Sequence, residues 1–302
     1  MNVVSKGIKY FTDHDYRSII QMNQGKYNNL SDEDFIKLKY RLVMGRELDL
    51  RNPTLFTEKL QWLKLYDRKP IYTSMVDKYT VKSIVASIIG KEYIIPTFGV
   101  WDKFEDIEFS SLPNKFVLKC THDSGGLIIC KDKEKIDYKA AQKKVSKSLK
   151  RNYYYYGREW PYKDVKPRII AEPLIEDTKT GELRDYKFFC FGGKVKCYKV
   201  DYDRFICHRA NYFTPNGELM RLGEEVCPPD EKKIIPIPTN LNKMKKLSEM
   251  LSQGQPFLRV DFYNVDGKIY FGELTFFPYS GFGKFVYEDN DSMLGSWINL
   301  PE

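Results

Sequence analysis

Residues 257–285 read FLRVDFYNVDGKIYFGELTFFPYSGFGKF. Two apolar-rich runs flank Val265-Asp266-Gly267, which is the signature of a β-hairpin. Arg259 and Asp261 sit on the first run, Glu273 and Thr275 on the second. Because strand side chains alternate, each pair shares one face. A two-residue Asp266-Gly267 turn would oppose Val260 to Glu273 and send the two acids to opposite sides of the sheet. A three-residue loop over 265–267, with Gly267 left-handed, opposes Arg259 to Glu273 and gathers all four polar groups. The expectation is the three-residue loop. Two carboxylates held close in an apolar sheet need a cation or a proton between them. Hard oxygen donors suit Mg²⁺, which completes its shell with waters and nucleotide phosphates. An exposed hairpin with merely solvated charges is the plain alternative, and the interleaved Val, Phe, Leu and Tyr argue against it.

The chain has 302 residues, 42% hydrophobic and 15% aromatic, enough for a sizeable core. No apolar run is long enough to span a bilayer, and residues 1–17 lack the core of an export signal. The six cysteines form no CxxC pair. Reduced thiols in the cytoplasm are therefore expected, and a zinc site is not. A net charge of +8 points to an acidic partner: nucleotide phosphates, an acidic sugar, an anionic membrane or nucleic acid.

Upstream, residues 1 to about 50 read as helical, with Ser31 capping an acidic first turn. Phe56–Tyr66 predicts a second amphipathic helix, its Trp62 and Tyr66 stripe assigned to core packing. A third runs from near Asp77, its expected N-cap, to Gly90. From Tyr93 the texture changes to strands: EYIIPTFGVW, NKFVLKC, LIIC, RIIAEPLIE and DYKFFCFGGKVKCYKV. CTHDSGG, residues 120–126, joins two of them. Its glycines let backbone N–H groups converge on an anion, although as a lone signal it reads as a hairpin turn. Residues 134–168 give a basic helix and then an aromatic segment. Such a mix suits packing first, then a sugar, then single-stranded nucleic acid. Residues 241–254 predict another helix. Arg204 and His208 are four apart and would share a helix face, where they could hold an acidic substrate. His208 is a candidate general base. His122 is a phosphate contact or loop anchor, and His14 has no assigned role.

The blocks NPTLFTEKLQWLKLYDRKPIYTSMVDKYTVK, IIPTFGVWDKF, LPNKFVLKCTHDSGG, REWPYKDVKPRIIAEPLIED, DYKFFCFGGK and the opening hairpin occur in the order seen in TupA-like ATP-grasp proteins, which this chain resembles over roughly 50–300. The resemblance implies an α+β ATP-grasp fold. Two lobes, 93–175 and 176–302, would clamp a nucleotide behind a mainly helical region at 1–92. It implies ATP and two Mg²⁺ ions. Lys82 resembles the last lysine of a DKxxxK helix that contacts phosphates. Lys119 matches the lysine that reaches the nucleotide, and Ser124, Gly125 and Gly126 the mobile phosphate loop. Glu172 and Leu174 fall at the hinge facing adenine, and Asp185 and Lys187 at ribose and phosphate contacts. Asp261 and Glu273 match the metal carboxylates, with Thr275 where an Asn is usual, and Arg259 the preceding cation.

The implied reaction is an ADP-forming ligation of an amino acid or similar amine to a sugar uronate, in capsule, O-antigen or exopolysaccharide synthesis, without nucleic acid. A glycosyltransferase of the same clusters, a glycan kinase and a non-catalytic nucleic-acid binder compete with it. The glycosyltransferase would consume a nucleotide sugar without releasing ADP from ATP, and the kinase would give ADP but no amide.

Overall fold

The computed structural model describes residues 9–177, 183–203 and 206–301. The chain begins with helices α1 (His14–Asn23), α2 (Asp32–Met44), α3 (Phe56–Tyr66), α4 (Ile71–Val76) and α5 (Thr80–Ile89). Asp13 and Ser31 accept from the backbone N–H of Tyr16 and Asp34, satisfying donors that a helix start leaves unpaired. Gly45, at φ 74°, ends α2 in the left-handed conformation. Helix α3 has no side-chain cap of its own. Asp291, 234 residues on, substitutes: it accepts from the Thr57 amide at 2.9 Å and hydroxyl at 2.8 Å, and from Arg46 at 2.5 Å.

Two antiparallel sheets follow. The smaller runs in the order β1-β4-β2-β3, from Gly99–Trp101 (β1), Phe116–Cys120 (β2), Leu127–Cys130 (β3) and Ile169–Pro173 (β4). Helix α6 (Tyr138–Leu149) turns Ala141 and Val145 onto it, and a short turn α7 (Tyr154–Gly157) follows. The larger sheet runs β7-β6-β5-β8-β9, from Asp185–Phe191 (β5), Lys194–Tyr202 (β6), Arg209–Phe213 (β7), Phe257–Val265 (β8) and Lys268–Thr275 (β9). Helices α8 (Leu241–Leu251) and α5 join its core, and α9 (Asn290–Ser296) packs on α3. Gly295 makes that last approach feasible, since a Cβ there would sit 2.2 Å from the Thr54 carbonyl. This α+β arrangement with a helical N-terminal region is the one the sequence implies.

Several local expectations need correction. Helix α4 was not anticipated. It ends at Val76, and Asp77 does not cap α5; it accepts from the Tyr79 amide and pairs with Arg168 at 2.7 Å. Tyr66 is exposed, leaving Trp62 as the packed member of its stripe. The run after Tyr93 yields only the three-residue β1. Residues 206–208 are not helical, because β7 begins at Arg209; Arg204 lies outside the described residues.

The hairpin itself differs in an instructive way. Val265 pairs with Lys268, so the turn has two residues, Asp266 at φ 50° and Gly267 at φ 83°. Both positive angles fit the turn that matches strand twist. Taken alone it would separate the two acids. A β-bulge at Gly272 restores the alignment: Phe262 pairs with Phe271, but Asp261 pairs with Glu273 and Arg259 with Thr275. The four polar groups therefore meet, by two irregularities rather than one longer loop.

Candidate functional site

The register carries a polar row across the whole larger sheet. Glu273, Asp261, Lys187, Lys199 and Tyr212 are consecutive cross-strand partners on one face. Asp185 and Asp201 occupy the next row. A strand face so charged is costly inside a protein unless each charge finds a partner. Arg259 grips Asp261 with two bonds of 2.7 Å and reaches Glu273 Oε1 at 2.8 Å. Lys187 pairs with Asp185, with Asp201 at 2.7 Å, and more distantly with Asp261 at 3.7 Å. Lys199, fully buried, donates to Glu224 at 2.7 Å, and Tyr279 closes on the same glutamate at 3.0 Å.

Burial pushes the Asp261 carboxyl up to about 6, against the pull of Arg259 and Lys187 and with help from Asp185 and Glu273. Burial acts the same way on Glu273, but Arg259, Lys78 and Lys187 outweigh it and hold that carboxyl below its usual range. The side chain of Glu273 is 45% exposed, against 3% for Asp261. Its Oε1 accepts from Arg259 and from the Thr275 hydroxyl at 3.2 Å, which leaves Oε2 with no hydrogen bond from the described residues. A hard oxygen with unused capacity beside a second carboxylate is a donor set that fits Mg²⁺. Thr275 serves here to orient Glu273.

A cleft of about 340 Å³ lies between these strands and the smaller sheet. Lys78, Lys82, Lys119, Asp123, Ser124, Gly126 and Glu172 line it together with Asp185, Lys187, Asp261 and Glu273. Lys82 and Lys119 both pair with Glu172, at 2.5 and 2.6 Å. Lys82 also donates to the Ile95 carbonyl and the Thr97 hydroxyl. Glu172, buried on β4, is thus engaged by two ammonium groups. Leu174 follows β4 and lines an adjoining depression with Ile94, Pro96 and Tyr270.

The loop between β2 and β3 is a hairpin, since Lys119 pairs with Leu127 and the Cys120 amide donates to Gly126 O. Asp123 braces it from within, accepting from the Gly126 amide at 3.1 Å and from the Ser148 hydroxyl. His122 is buried against Ser148 O at 3.1 Å, so of its two expected roles it fills that of loop anchor. Lys78 donates to the Asp123 carbonyl at 2.5 Å, tying α5's approach to the loop. Sequence reasoning missed Lys78, though it sits inside the DKYTVK block. It also missed Glu159, buried behind the cleft with Ser280 Oγ at 2.5 Å. His208 is placed 3.4 Å from Asp201, with Cys227 nearby, and Lys199 lies 3.9 Å from that sulfur.

Across the cleft Lys119 of the smaller sheet, with Lys78 and Lys82 from the α5 region, faces the paired acids and Lys187 of the larger sheet, an arrangement in keeping with an ATP-grasp protein. The model of the TupA-like ATP-grasp family matches residues 58–299, and the chain belongs to that family. No curated protein matches it. Among solved structures it is similar to D-alanine–D-alanine ligase from Bacillus anthracis, at 15% identity and a TM-score of 0.38; the match covers 74% of this chain but only 60% of that one. The Helicobacter pylori D-alanine–D-alanine ligase gives 12% identity and 0.41, covering 81% and 69%. A D-cycloserine synthetase gives 13% and 0.43, covering 88% and 93%. Among the described residues no helix is long and apolar enough to cross a membrane.

Proposed function

We propose that this chain is an ATP- and Mg²⁺-dependent carboxylate–amine ligase that releases ADP. The acid component is a sugar uronate and the amine an amino acid or similar compound, within surface-polysaccharide synthesis. The observation that carries this reading is the register of Asp261 opposite Glu273, both held by Arg259, in a cleft that Lys78, Lys119 and the glycine loop also line.

The chemistry starts from an obstacle. A carboxylate is a poor electrophile, so an amine does not displace its oxygen directly. In the proposed first step a carboxylate oxygen attacks the γ-phosphorus of ATP, the bond from phosphorus to the β-γ bridging oxygen breaks, and ADP leaves. The product is an acyl phosphate. The amine nitrogen then attacks the carbonyl carbon, inorganic phosphate departs with the bonding electrons, and the nitrogen sheds a proton. Lys119, Lys82 and Lys187 supply point charges for phosphate oxygens, exchanging their present carboxylate partners for the nucleotide. Backbone N–H groups of Ser124 and Gly125, in the loop that the Gly126 amide braces on Asp123, close over the transferring group. Asp261 and Glu273 would hold Mg²⁺, which neutralises charge on the β- and γ-phosphates. Arg259 directs its guanidinium at the tetrahedral oxyanion. Leu174 and the β4 end border the base, Asp185 the ribose. His208 and Arg204 are assigned to the acidic substrate.

The decisive experiment incubates the protein with Mg-ATP, candidate uronates and a pool of amino acids, following ADP and seeking the amide by mass spectrometry. Glu273→Gln should abolish turnover while the far-ultraviolet dichroism stays unchanged. Wild-type rates in that variant would end the metal assignment. ADP without an amide would make the protein a glycan kinase. Consumption of a nucleotide sugar without ADP would make it a glycosyltransferase.

A further inference from the structure

Residues 131–151 contain nine basic and three acidic side chains, which accounts for six of the eight net positive charges of the whole chain. Within that segment α6 carries no acid at all. Its apolar side, Ala141, Val145 and Leu149, faces the smaller sheet. Lys139, Lys143, Lys144, Lys147 and Lys150 are exposed on the other side, and none forms an ion pair among the described residues. Lys139, Lys143 and Lys147 recur every four residues, so they rise along one flank at about 6 Å per step. Like charges so spaced destabilise a helix slightly. The arrangement costs the isolated protein a little stability, which a bound anion would offset.

The flank also leads somewhere. Arg151 follows the helix, and its Nη1 lies 3.7 Å from where a side chain on Gly125 of the glycine loop would begin. Two residues on, Tyr153 lies beside Ser124 of the same loop and within the field of Glu273. Tyr153 packs edge-on to Tyr162, at 4.9 Å between ring centres, and Tyr155 and Tyr156 are exposed next to it. A line of cations therefore runs down α6 and passes into a group of aromatic rings beside the glycine loop, whose Ser124 and Gly126 line the cleft. Cations in a line recognise a linear polyanion, and ring faces stack on pyranose rings. A membrane surface fits less well, because this side of α6 offers no large apolar side chain to insert.

We propose that the α6 flank is a docking track for the acceptor, and that the acceptor is an acidic polysaccharide chain rather than a free sugar acid. The inference deepens the ligase reading and rests on its assignment of an acidic sugar as substrate. The track holds the polymer electrostatically while one of its carboxylates enters the cleft. None of its lysines belongs to the proposed catalytic machinery.

The test is a binding measurement on the full chain with polygalacturonate, free galacturonate, neutral dextran, single-stranded DNA and phosphatidylglycerol vesicles as probes. Wild-type protein should bind polygalacturonate with an affinity that falls steeply with salt, and should ignore dextran. A variant combining Lys139→Gln, Lys143→Gln and Lys147→Gln should bind it roughly tenfold or more weakly, with a shallower salt dependence. Its affinity for Mg-ATP should match wild type. Unchanged polygalacturonate binding in the variant overturns the proposal, as does DNA or vesicle binding equal to or tighter than that of polygalacturonate. The assay needs no turnover, so the two readings fail separately. Stripe-dependent polymer binding with no amide from any uronate sinks the ligase alone. Amide formation from free galacturonate, with polymer binding that ignores the lysines, sinks the track alone.

Discussion

Arg259 is the residue on which the acidic strands depend. It is buried, and without it Asp261 and Glu273 would confront each other across one strand pair with only Lys187, 3.7 Å from Asp261, and the more distant field of Lys78 to offset them. Removing one member of a buried ion cluster leaves uncompensated charge, which costs about 3–5 kcal/mol. Arg259→Met should lower unfolding free energy in urea by about that amount. Added Mg²⁺ should recover more stability in the variant than in wild type, because the ion then supplies the missing charge. A variant as stable as wild type would show that the acids are neutral in the folded protein. The acids were legible in the sequence because two carboxylates in an apolar hairpin are rare without a purpose. Lys78 and Glu159 were not. One is a lysine among many, and the other becomes significant only when three distant segments close around it.

At the scale of the element, the β8–β9 hairpin shows how far local rules reach. Asp-Gly between alternating apolar runs is a strong signal for a two-residue turn, and that is the turn formed. The requirement that the acids share a face argued for a longer loop instead. Both pressures are real, and Gly272 reconciles them. A glycine inside a strand is itself a mark of a bulge, so this resolution was present in the sequence but went unread. A Cβ at 272 would stand 3.1 Å from the Asp261 carbonyl oxygen. Gly272→Val should therefore push β8 away at the residue that matters most. Stability should fall by only about 1 kcal/mol, while ADP release drops on the order of tenfold to a hundredfold. Equal losses in both would mean the bulge is merely structural. The 206–208 segment failed as a helix for a complementary reason: a four-residue spacing is weak evidence when the next five residues are already committed to β7.

Across the whole molecule, a buried ionic junction ties the N-terminal helices to the sheets. Lys64 of α3 donates to Gly157 O at 2.7 Å and Ser280 O at 2.8 Å. Lys39 of α2 donates to Tyr156 O, and Glu159 accepts from Ser280. Burial pushes Glu159 from the usual 4.5 up to about 7, although Ser280, Lys64 and Lys39 pull it down and Glu273 adds to the rise. Burial also lowers Lys39 from 10.5 to about 8, with Glu159 opposing. Between pH 4.5 and about 7 the folded chain keeps a proton on Glu159 that the unfolded chain has released, so stability falls as pH rises. Between about 8 and 10.5 the unfolded chain holds the extra proton on Lys39, so stability rises again. Urea titrations across this range should show the minimum, and Glu159→Gln should make its acidic limb shallower, leaving the part that the raised Asp261 carries. A wild-type limb in that variant would place the titration elsewhere. Most of the helices were readable from caps and periodicity, the short α4 excepted; which of them meet was not, because Asp291 capping α3 joins residues 234 apart.

Five of the six cysteines are buried and Cys207 alone is exposed. Its neighbour His208 reaches Asp201, which Lys187 links to the acids. A maleimide fluorophore would consequently tag the native chain at one spot, without mutagenesis, giving an optical reporter one side chain removed from that relay.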